Sequence, residues 1–264
     1  MSVSLKHLTS CNKIDVVARI VLVAVLTALC GTSYGQYTST AHDARSGAMG
    51  GCFMADDTLR RVSVSYCRPY MLSDMADKGV SVVWPTSRIG TFGAIYRHHG
   101  GAAYHEQTAV VGYGIQVASW LKAGVAAHYM HVGTDDAYYE AQQWLGASAA
   151  LQAAVGSRVC VTMVAGTQPW VENSPWRMHV QMAYRPMTQM LTVVGFEKEE
   201  RMRVRMGMEY DYRGALFFRA GVTTNPMTAT FGIGVCMCRL TVDIGAAVHR
   251  VLGITPQTTL TLWL

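Results

Sequence analysis

Residues 201–212 alternate between apolar and polar side chains. The stretch reads RMRVRMGMEYDY: every even position is apolar, and every odd position except Gly207 is charged. Because successive side chains of an extended chain point to opposite faces, a period of two predicts a β-strand. One face of this strand must meet an apolar environment, while the other face carries arginines and acids.

Similar alternation recurs along most of the chain after residue 60, and no run has a convincing helical period. Most runs are close to the length of about 9–11 residues that a tilted transmembrane strand needs. The predicted runs are 60–67, 79–85, 89–98, 105–119, 121–132, 141–154, 157–166, 176–185, 188–198, 201–212, 214–223, 227–237, 239–250 and 256–264. The pattern predicts an all-β fold, an antiparallel transmembrane β-barrel of about 14 strands, with 12 as the alternative count.

The connections between these runs differ in length. Those after the first, third, fifth and seventh runs are long, at 68–78, 99–104, 133–140 and 167–175, whereas those after the even runs are very short. Outer-membrane barrels have short periplasmic turns and longer extracellular loops. The pattern therefore predicts that both ends of the barrel chain lie on the periplasmic side.

The N-terminal residues 1–35 have the features of a secretory signal peptide. Three basic residues are followed by the apolar run Ile20–Cys30, and Ser33 and Gly35 are small residues before a predicted cleavage site. The apolar run is shorter than the roughly 20 residues of a membrane-spanning helix, although an N-terminal anchor helix is an alternative. Residues 36–59 are then a glycine-rich lead-in segment, an alternative role being a lumen plug, and residues 60–264 form the barrel.

Composition agrees with a lipid-facing surface. Only 15% of the residues are charged and 50% are hydrophobic, and the net charge is +5. This charge is too small and too dispersed for a nucleic-acid-binding surface. We therefore expect outer-membrane lipid as the surroundings, no nucleic-acid partner, and a location in the outer membrane of a bacterial cell.

The polar faces of the predicted strands would bring many charges into the lumen. Because an unpaired buried charge is costly, we expect these side chains to form cross-strand ion pairs, as a structural network rather than a substrate path. The predicted lumen charge network consists of Arg177, Arg185, Glu197, Arg203, Arg205, Glu209, Asp211, Arg219, Arg239 and Asp243.

Signals for enzymatic chemistry are weak. The chain has no Gly-x-Ser-x-Gly, Walker or His-Glu-x-x-His motif, so we expect no enzymatic activity and no cofactor. Ser148 and His179 are the candidates for a phospholipase-like pair only because both residue types occur. Cys52 and Cys67 could form a disulfide in an oxidising compartment, the alternative being two small apolar side chains.

The segment before the barrel carries a family resemblance. Residues 45–57 read RSGAMGGCFMADD, and YCRPY follows at residues 66–70. This order resembles the start of FadL-like outer-membrane barrels, especially the PorV/PorQ-type barrels of Bacteroidetes. The matching residues are Arg45, Met49, Gly50, Gly51, Phe53, Ala55, Asp57 and Pro69. The pattern is altered at Arg68, where it has Asn, and at Tyr70, where it has Ala.

The resemblance implies a barrel of about fourteen strands whose N-terminal segment lies in or under the lumen. FadL-like members move fatty acids or other hydrophobic compounds, and PorV/PorQ-type members serve type IX secretion and surface attachment. We expect an outer-membrane barrel with a structural, secretion-accessory or transport role, and candidate partners in secretion-system or cell-surface proteins. The alternatives are a transporter of hydrophobic compounds, which predicts an apolar lumen or a lateral gap, and a soluble periplasmic or secreted β-sandwich that binds a ligand.

Overall fold

The computed structural model describes residues 43–53, 59–86, 89–101, 103–135, 140–167, 176–198 and 202–264. The predicted signal peptide and Asp57 of the N-terminal motif lie outside the described residues. No helix within the described ranges has the length and apolar character needed to cross a membrane.

Fourteen antiparallel strands form a closed barrel in which each strand pairs with its neighbours in sequence and β1 pairs with β14. The strands are β1 Arg61–Cys67, β2 Asp77–Thr86, β3 Gly90–Gly100, β4 Tyr104–Ala118, β5 Leu121–Thr134, β6 Gln142–Val155, β7 Val159–Thr167, β8 Trp176–Met187, β9 Met190–Lys198, β10 Met202–Tyr212, β11 Leu216–Thr223, β12 Thr228–Met237, β13 Leu240–His249 and β14 Gly253–Trp263. The predicted all-β barrel is confirmed with fourteen strands. A twelve-stranded barrel and a two-sheet sandwich are both excluded, because one ring closes on itself.

The orientation of the two strand faces follows the alternation in the sequence. In β10, Met206 and Tyr210 are 53% and 45% exposed on the outside, whereas Arg205 and Glu209 between them are 4% and 6% exposed. A closed ring with apolar side chains outside leaves no backbone edge unpaired in hydrocarbon. The outer surface therefore has the properties that a lipid bilayer requires of a barrel.

Strand β14 begins at Gly253, earlier than predicted, and contains Pro256. Proline has no N–H to donate to a neighbouring strand. The carbonyl of Pro256 accepts from the N–H of Arg68 at 3.0 Å, while the carbonyl of Arg68 accepts from Met71 at 3.2 Å. The proline is tolerated because β1 ends at this level and the chain turns away, through the 3-10 turns Pro69–Met71 and Ser73–Met75.

The predicted difference between long and short connections is only partly present. The connections 68–76, 135–141 and 168–175 are long, but β3 and β4 are joined by residues 101–103 alone. Gly100 allows this tight reversal, because its φ of 102° suits glycine and a Cβ there would lie 2.2 Å from the carbonyl oxygen of Tyr104. Residues 99, 100 and 104 of the expected loop therefore belong to strands.

Residues 43–53, here named the inner segment, lie inside the barrel. They begin with the helix α1 Ala44–Ala48, which contacts β11 to β14. Asp43 caps the helix: its Oδ1 accepts from the N–H of Ser46 at 2.6 Å, and the Ser46 side chain reaches back to Asp43. The chain then turns through Gly50 and Gly51, both with positive φ.

Candidate functional site: the lumen and the inner segment

Glu197 of β9 is the centre of one ion cluster on the lumen face. The strands β8, β9 and β10 are neighbours, so their inward side chains lie side by side. Glu197 accepts from Arg177 Nε at 3.0 Å, from Arg203 Nη1 at 3.3 Å, and from Arg205. Its side chain is fully buried, and three guanidinium groups compensate its charge.

A second ion cluster connects β10, β11 and β13. Arg219 donates from Nε to Glu209 and from Nη1 to Asp243, each at 2.6 Å. Asp243 is two strands away from Arg219, and the intervening strand β12 presents Gly234 at this level. A Cβ on Gly234 would lie 2.3 Å from Asp243 Oδ1, so the missing side chain lets the ion pair span β12.

The structure leaves three of the predicted network residues outside both clusters. Arg185, Asp211 and Arg239 lie beside the short turns. Arg185 and Arg239 are exposed, and Asp211 accepts from the N–H of Gly214 at 2.6 Å within its own turn. Arg185 and Asp211 lie near the ends of β8 and β10, and Arg239 lies between β12 and β13. The neighbouring turn therefore determines the surroundings of these three side chains.

Arg45 of the inner segment joins the second cluster, which the charge pattern of the strands did not predict. It donates to Glu209 from Nε at 2.8 Å and from Nη2 at 2.7 Å. Burial opposes the charged form, but the charge and hydrogen bonds of Glu209 raise the pKa of Arg45 above its ordinary value. Arg45 was recognised only as part of the N-terminal motif, because the sequence does not show which strand faces it.

Backbone groups of the inner segment bind polar side chains of the barrel wall. The carbonyl of Gly51 accepts from Arg205 Nη1 at 3.0 Å. Three threonines of the wall make four further bonds: Ala44 N to Thr259 Oγ1 at 2.8 Å, Gly50 N to Thr230 Oγ1 at 3.0 Å, Thr230 Oγ1 to Ala48 O at 2.8 Å, and Thr223 Oγ1 to Gly50 O at 2.6 Å. Gln181 of β8 also donates from Nε2 to the Phe53 carbonyl. The wall thus satisfies backbone groups that would otherwise be buried without partners.

The remaining residues of the N-terminal motif pack at the edges of this contact. Met49 is buried against β10 and β11, and Phe53 meets the ring of His179 edge-on at a centroid distance of 5.0 Å. Pro69 is buried where the first 3-10 turn contacts β14. The motif therefore consists mainly of residues that hold the inner segment against the wall.

Two glycines of the wall permit the close approach of the inner segment. A Cβ on Gly207 would lie 2.5 Å from the carbonyl oxygen of Met49, and a Cβ on Gly221 would lie 2.4 Å from the backbone nitrogen of Gly50. Both glycines interrupt otherwise regular strands, and only a side chain of one hydrogen fits there. Both glycines are visible in the sequence, but only the structure shows that the inner segment packs against them.

A cavity of about 490 Å³ lies between the inner segment and the opposite part of the wall. Much of its wall is aliphatic or glycine, and the residues of that kind are Val82, Val83, Gly93, Ala94, Ile95, Val110, Gly112, Ala126, Val164 and Gly166. Arg45, Arg61 and Arg177 also line it, together with His128, Ser148 and His179. The expectation of a lumen crowded with charge is wrong for this part of the barrel, because β2 to β7 place mainly small apolar side chains there.

The described cysteines are all free, including Cys52 and Cys67, so the structure does not contain the disulfide considered above. Cys52 is 1% exposed within the inner segment. Burial raises the pKa of the Cys52 thiol to about 11, with a smaller contribution from the nearby Glu197. The thiol is therefore protonated at neutral pH and packs as a small apolar side chain.

No family model matches this chain, and no curated protein matches it in sequence. Solved structures do match. The CymD monoaromatic hydrocarbon channel has a TM-score of 0.66 at 11% identity, over 87% of this chain and 99% of CymD. The Ralstonia pickettii toluene transporter TbuX has a TM-score of 0.59 at 12% identity, over 86% and 98%. The Acinetobacter baumannii outer membrane protein Omp33 has a TM-score of 0.56 at 9% identity, over 78% and 98%.

At these identities the likeness concerns the fold. It supports the FadL-like part of the resemblance, since barrels of hydrocarbon transporters share this architecture. The PorV/PorQ-type part, with its secretion partners, stays a prediction. The closed fourteen-stranded ring, its apolar outer surface and these neighbours together identify the chain as a β-barrel protein of the bacterial outer membrane.

Proposed function

We propose that this protein transports small hydrophobic compounds across the outer membrane and that the inner segment is the plug of its lumen. The observation that carries the proposal is the cavity of about 490 Å³ between the inner segment and the aliphatic wall. Ligand sites of proteins typically have volumes of roughly 300–1,000 Å³ and mainly apolar linings. The functions named for CymD and TbuX, a hydrocarbon channel and a toluene transporter, support the same proposal.

The distribution of polar contacts gives the two sides of the lumen different roles. The inner segment binds β10, β11, β12 and β14 through its ion pair and its hydrogen bonds to threonines, and β8 through Gln181. The wall opposite offers Val110, Ile95 and Val164, which can bury an apolar solute. Transfer from water to such a surface is favourable by about 25 cal/mol per Å² of apolar area. A hydrocarbon thus has a binding surface beside the plug without disrupting the ion clusters.

Two neighbouring valines of β4 provide the test. Val110 lines the cavity, whereas Val111 points outward and is 63% exposed. Uptake of radiolabelled toluene is measured in Gram-negative cells that express the wild type, Val110→Trp or Val111→Trp at equal amounts of folded barrel. We expect Val110→Trp to reduce protein-dependent uptake about tenfold by filling the cavity, and Val111→Trp to leave it unchanged. No protein-dependent uptake by the wild type, or equal uptake by the two variants, would contradict the proposal.

A further inference from the structure

A hydrogen-bonded pair of polar side chains interrupts the apolar wall of the cavity. His128 Nε2 and Ser148 Oγ are 2.7 Å apart, across the neighbouring strands β5 and β6. Both residues line the cavity. Directly opposite His128 on β4 is Val110, and directly opposite Ser148 on β5 is Ala126, so the surroundings of the pair on these strands are aliphatic.

When the imidazole is neutral, His128 and Ser148 can form further hydrogen bonds in either tautomer of the ring. If Nε2 accepts from the serine hydroxyl, Nδ1–H remains as a donor and the serine oxygen as an acceptor. If Nε2–H donates to the serine, the serine hydroxyl remains as a donor and Nδ1 as an acceptor. The described residues offer the two side chains no further hydrogen bond. In either tautomer the serine hydroxyl therefore keeps hydrogen-bonding capacity for a ligand, as an acceptor in the first case and as a donor in the second.

The position of Gly166 contributes to the space around this pair. Gly166 of β7 lies directly opposite Ser148, and a Cβ there would lie 2.7 Å from the Cβ of Ser148. Gly166 also lines the cavity. The absence of a side chain on this neighbour of Ser148 leaves the cavity wider at the polar pair.

We infer that the cavity selects an apolar compound that carries a hydroxyl group, such as a phenol, over the corresponding hydrocarbon. This inference rests on the proposed function and specifies its substrate class. A hydroxyl group can both donate and accept, so it can bond the Ser148 hydroxyl in either tautomer of His128. A hydrocarbon in the same place would displace water from His128 and Ser148 without replacing its hydrogen bonds, which is unfavourable.

Each arginine that lines the cavity already contacts another side chain, and an anionic ligand would have to compete with that contact. Arg45 and Arg177 already donate to Glu209 and Glu197, so an anionic ligand would have to compete for these donors. Arg61 lies over the ring of Trp263 at 5.8 Å. A carboxylate would have to compete with these contacts, whereas a hydroxyl group requires no change in them.

The test compares three ligands of similar size: toluene, 4-methylphenol and 4-methylbenzoate. Binding to the purified full-length protein in detergent is measured by equilibrium dialysis of radiolabelled ligand. The variants are Ser148→Ala and His128→Phe, with Ser63→Ala as the matched control. Ser63 Oγ bonds Thr261 Oγ1 at 3.0 Å on the lumen face but is not part of the cavity lining. The heat-dependent gel shift of each variant verifies that the barrel is folded.

We expect the wild type and Ser63→Ala to bind 4-methylphenol about tenfold more tightly than toluene, and the preference to fall to within about twofold in Ser148→Ala or His128→Phe. Equal or tighter binding of toluene by the wild type would overturn the inference while leaving the proposed function in place. Tighter binding of 4-methylbenzoate, or an unchanged preference in both folded cavity variants, would also overturn it. Binding of none of the three ligands would count against the proposed function and overturn this inference with it.

Discussion

Arg45 and Glu209, 164 positions apart in the chain, form a two-point ion pair between the inner segment and strand β10. The Glu209 carboxylate is almost buried and also accepts from Arg219, so the pair joins the inner segment to the ion cluster of the wall. Two parallel N–H···O bonds fix orientation as well as distance. The ion pair therefore fixes both the position and the orientation of the inner segment within the lumen.

Replacing Arg45 by alanine should loosen the inner segment while the barrel remains closed. Glu209 keeps its bond to Arg219, so the wall cluster survives, but the segment loses a charged contact of about 1–3 kcal/mol. We expect faster amide hydrogen exchange in residues 43–53 and unchanged exchange in the strands, measured by mass spectrometry. Arg239→Ala, which removes an exposed arginine at a turn, is the control. Equal protection of the segment in Arg45→Ala and the wild type would argue against this role.

An alanine at Gly207 should disturb the inner segment through steric contact alone. The added Cβ would lie 2.5 Å from the Met49 carbonyl oxygen, so the segment must move, at a cost of about 1–3 kcal/mol. Gly93→Ala is the matched control, since the nearest atom to its Cβ is the Val82 carbonyl oxygen at 3.9 Å. We expect a lower thermal midpoint of the heat-dependent gel shift in Gly207→Ala than in Gly93→Ala. The same midpoint in both would contradict the observed contact.

Neutralising Glu197 should destabilise the barrel more than neutralising a carboxylate at a turn. Glu197→Gln leaves three arginines close together without the buried charge that compensates them, and breaking such a cluster costs about 3–5 kcal/mol. Asp211→Asn removes the same charge but its side-chain oxygen can still accept from Gly214. Urea titration in lipid vesicles should show a lower unfolding midpoint for Glu197→Gln only. A similar midpoint for both variants would mean that the cluster contributes little.

The thiol of Cys52 should be unreactive in the folded protein. It is buried in the inner segment and its pKa is raised to about 11, so little thiolate is present at pH 7. Cys238 at the β12–β13 turn is exposed and serves as the internal control. Maleimide labelling followed by peptide mass spectrometry should modify Cys238 and leave Cys52 unmodified until the barrel is denatured. Rapid labelling of Cys52 in the native protein would show that the inner segment leaves its place.

The strands could be predicted because each one carries its own pattern. In β10 and β13 the alternation of apolar and polar residues specifies which face meets lipid, and this depends on the two-residue period alone. Errors arose at strand ends. Strand β14 begins at Gly253, ahead of Pro256, where the Arg68 N–H bonds the strand and the Arg68 carbonyl bonds Met71 instead; Gly100 shortens the β3–β4 connection by a tight reversal. The contact between Arg68 and Pro256 joins residues far apart in the chain and is not visible from the local sequence.

The sequence by itself determined the class of fold and the side of the strands that faces outward, because these follow from local periodicity and from the cost of exposing charge to hydrocarbon. It left the strand number open between fourteen and twelve. Only the tertiary structure decided how the lumen is used. Closure of the ring brings Arg45 to Glu209 and leaves a cavity whose lining includes the His128–Ser148 pair. These relationships join residues far apart in the chain, and strand register and barrel closure set their distances.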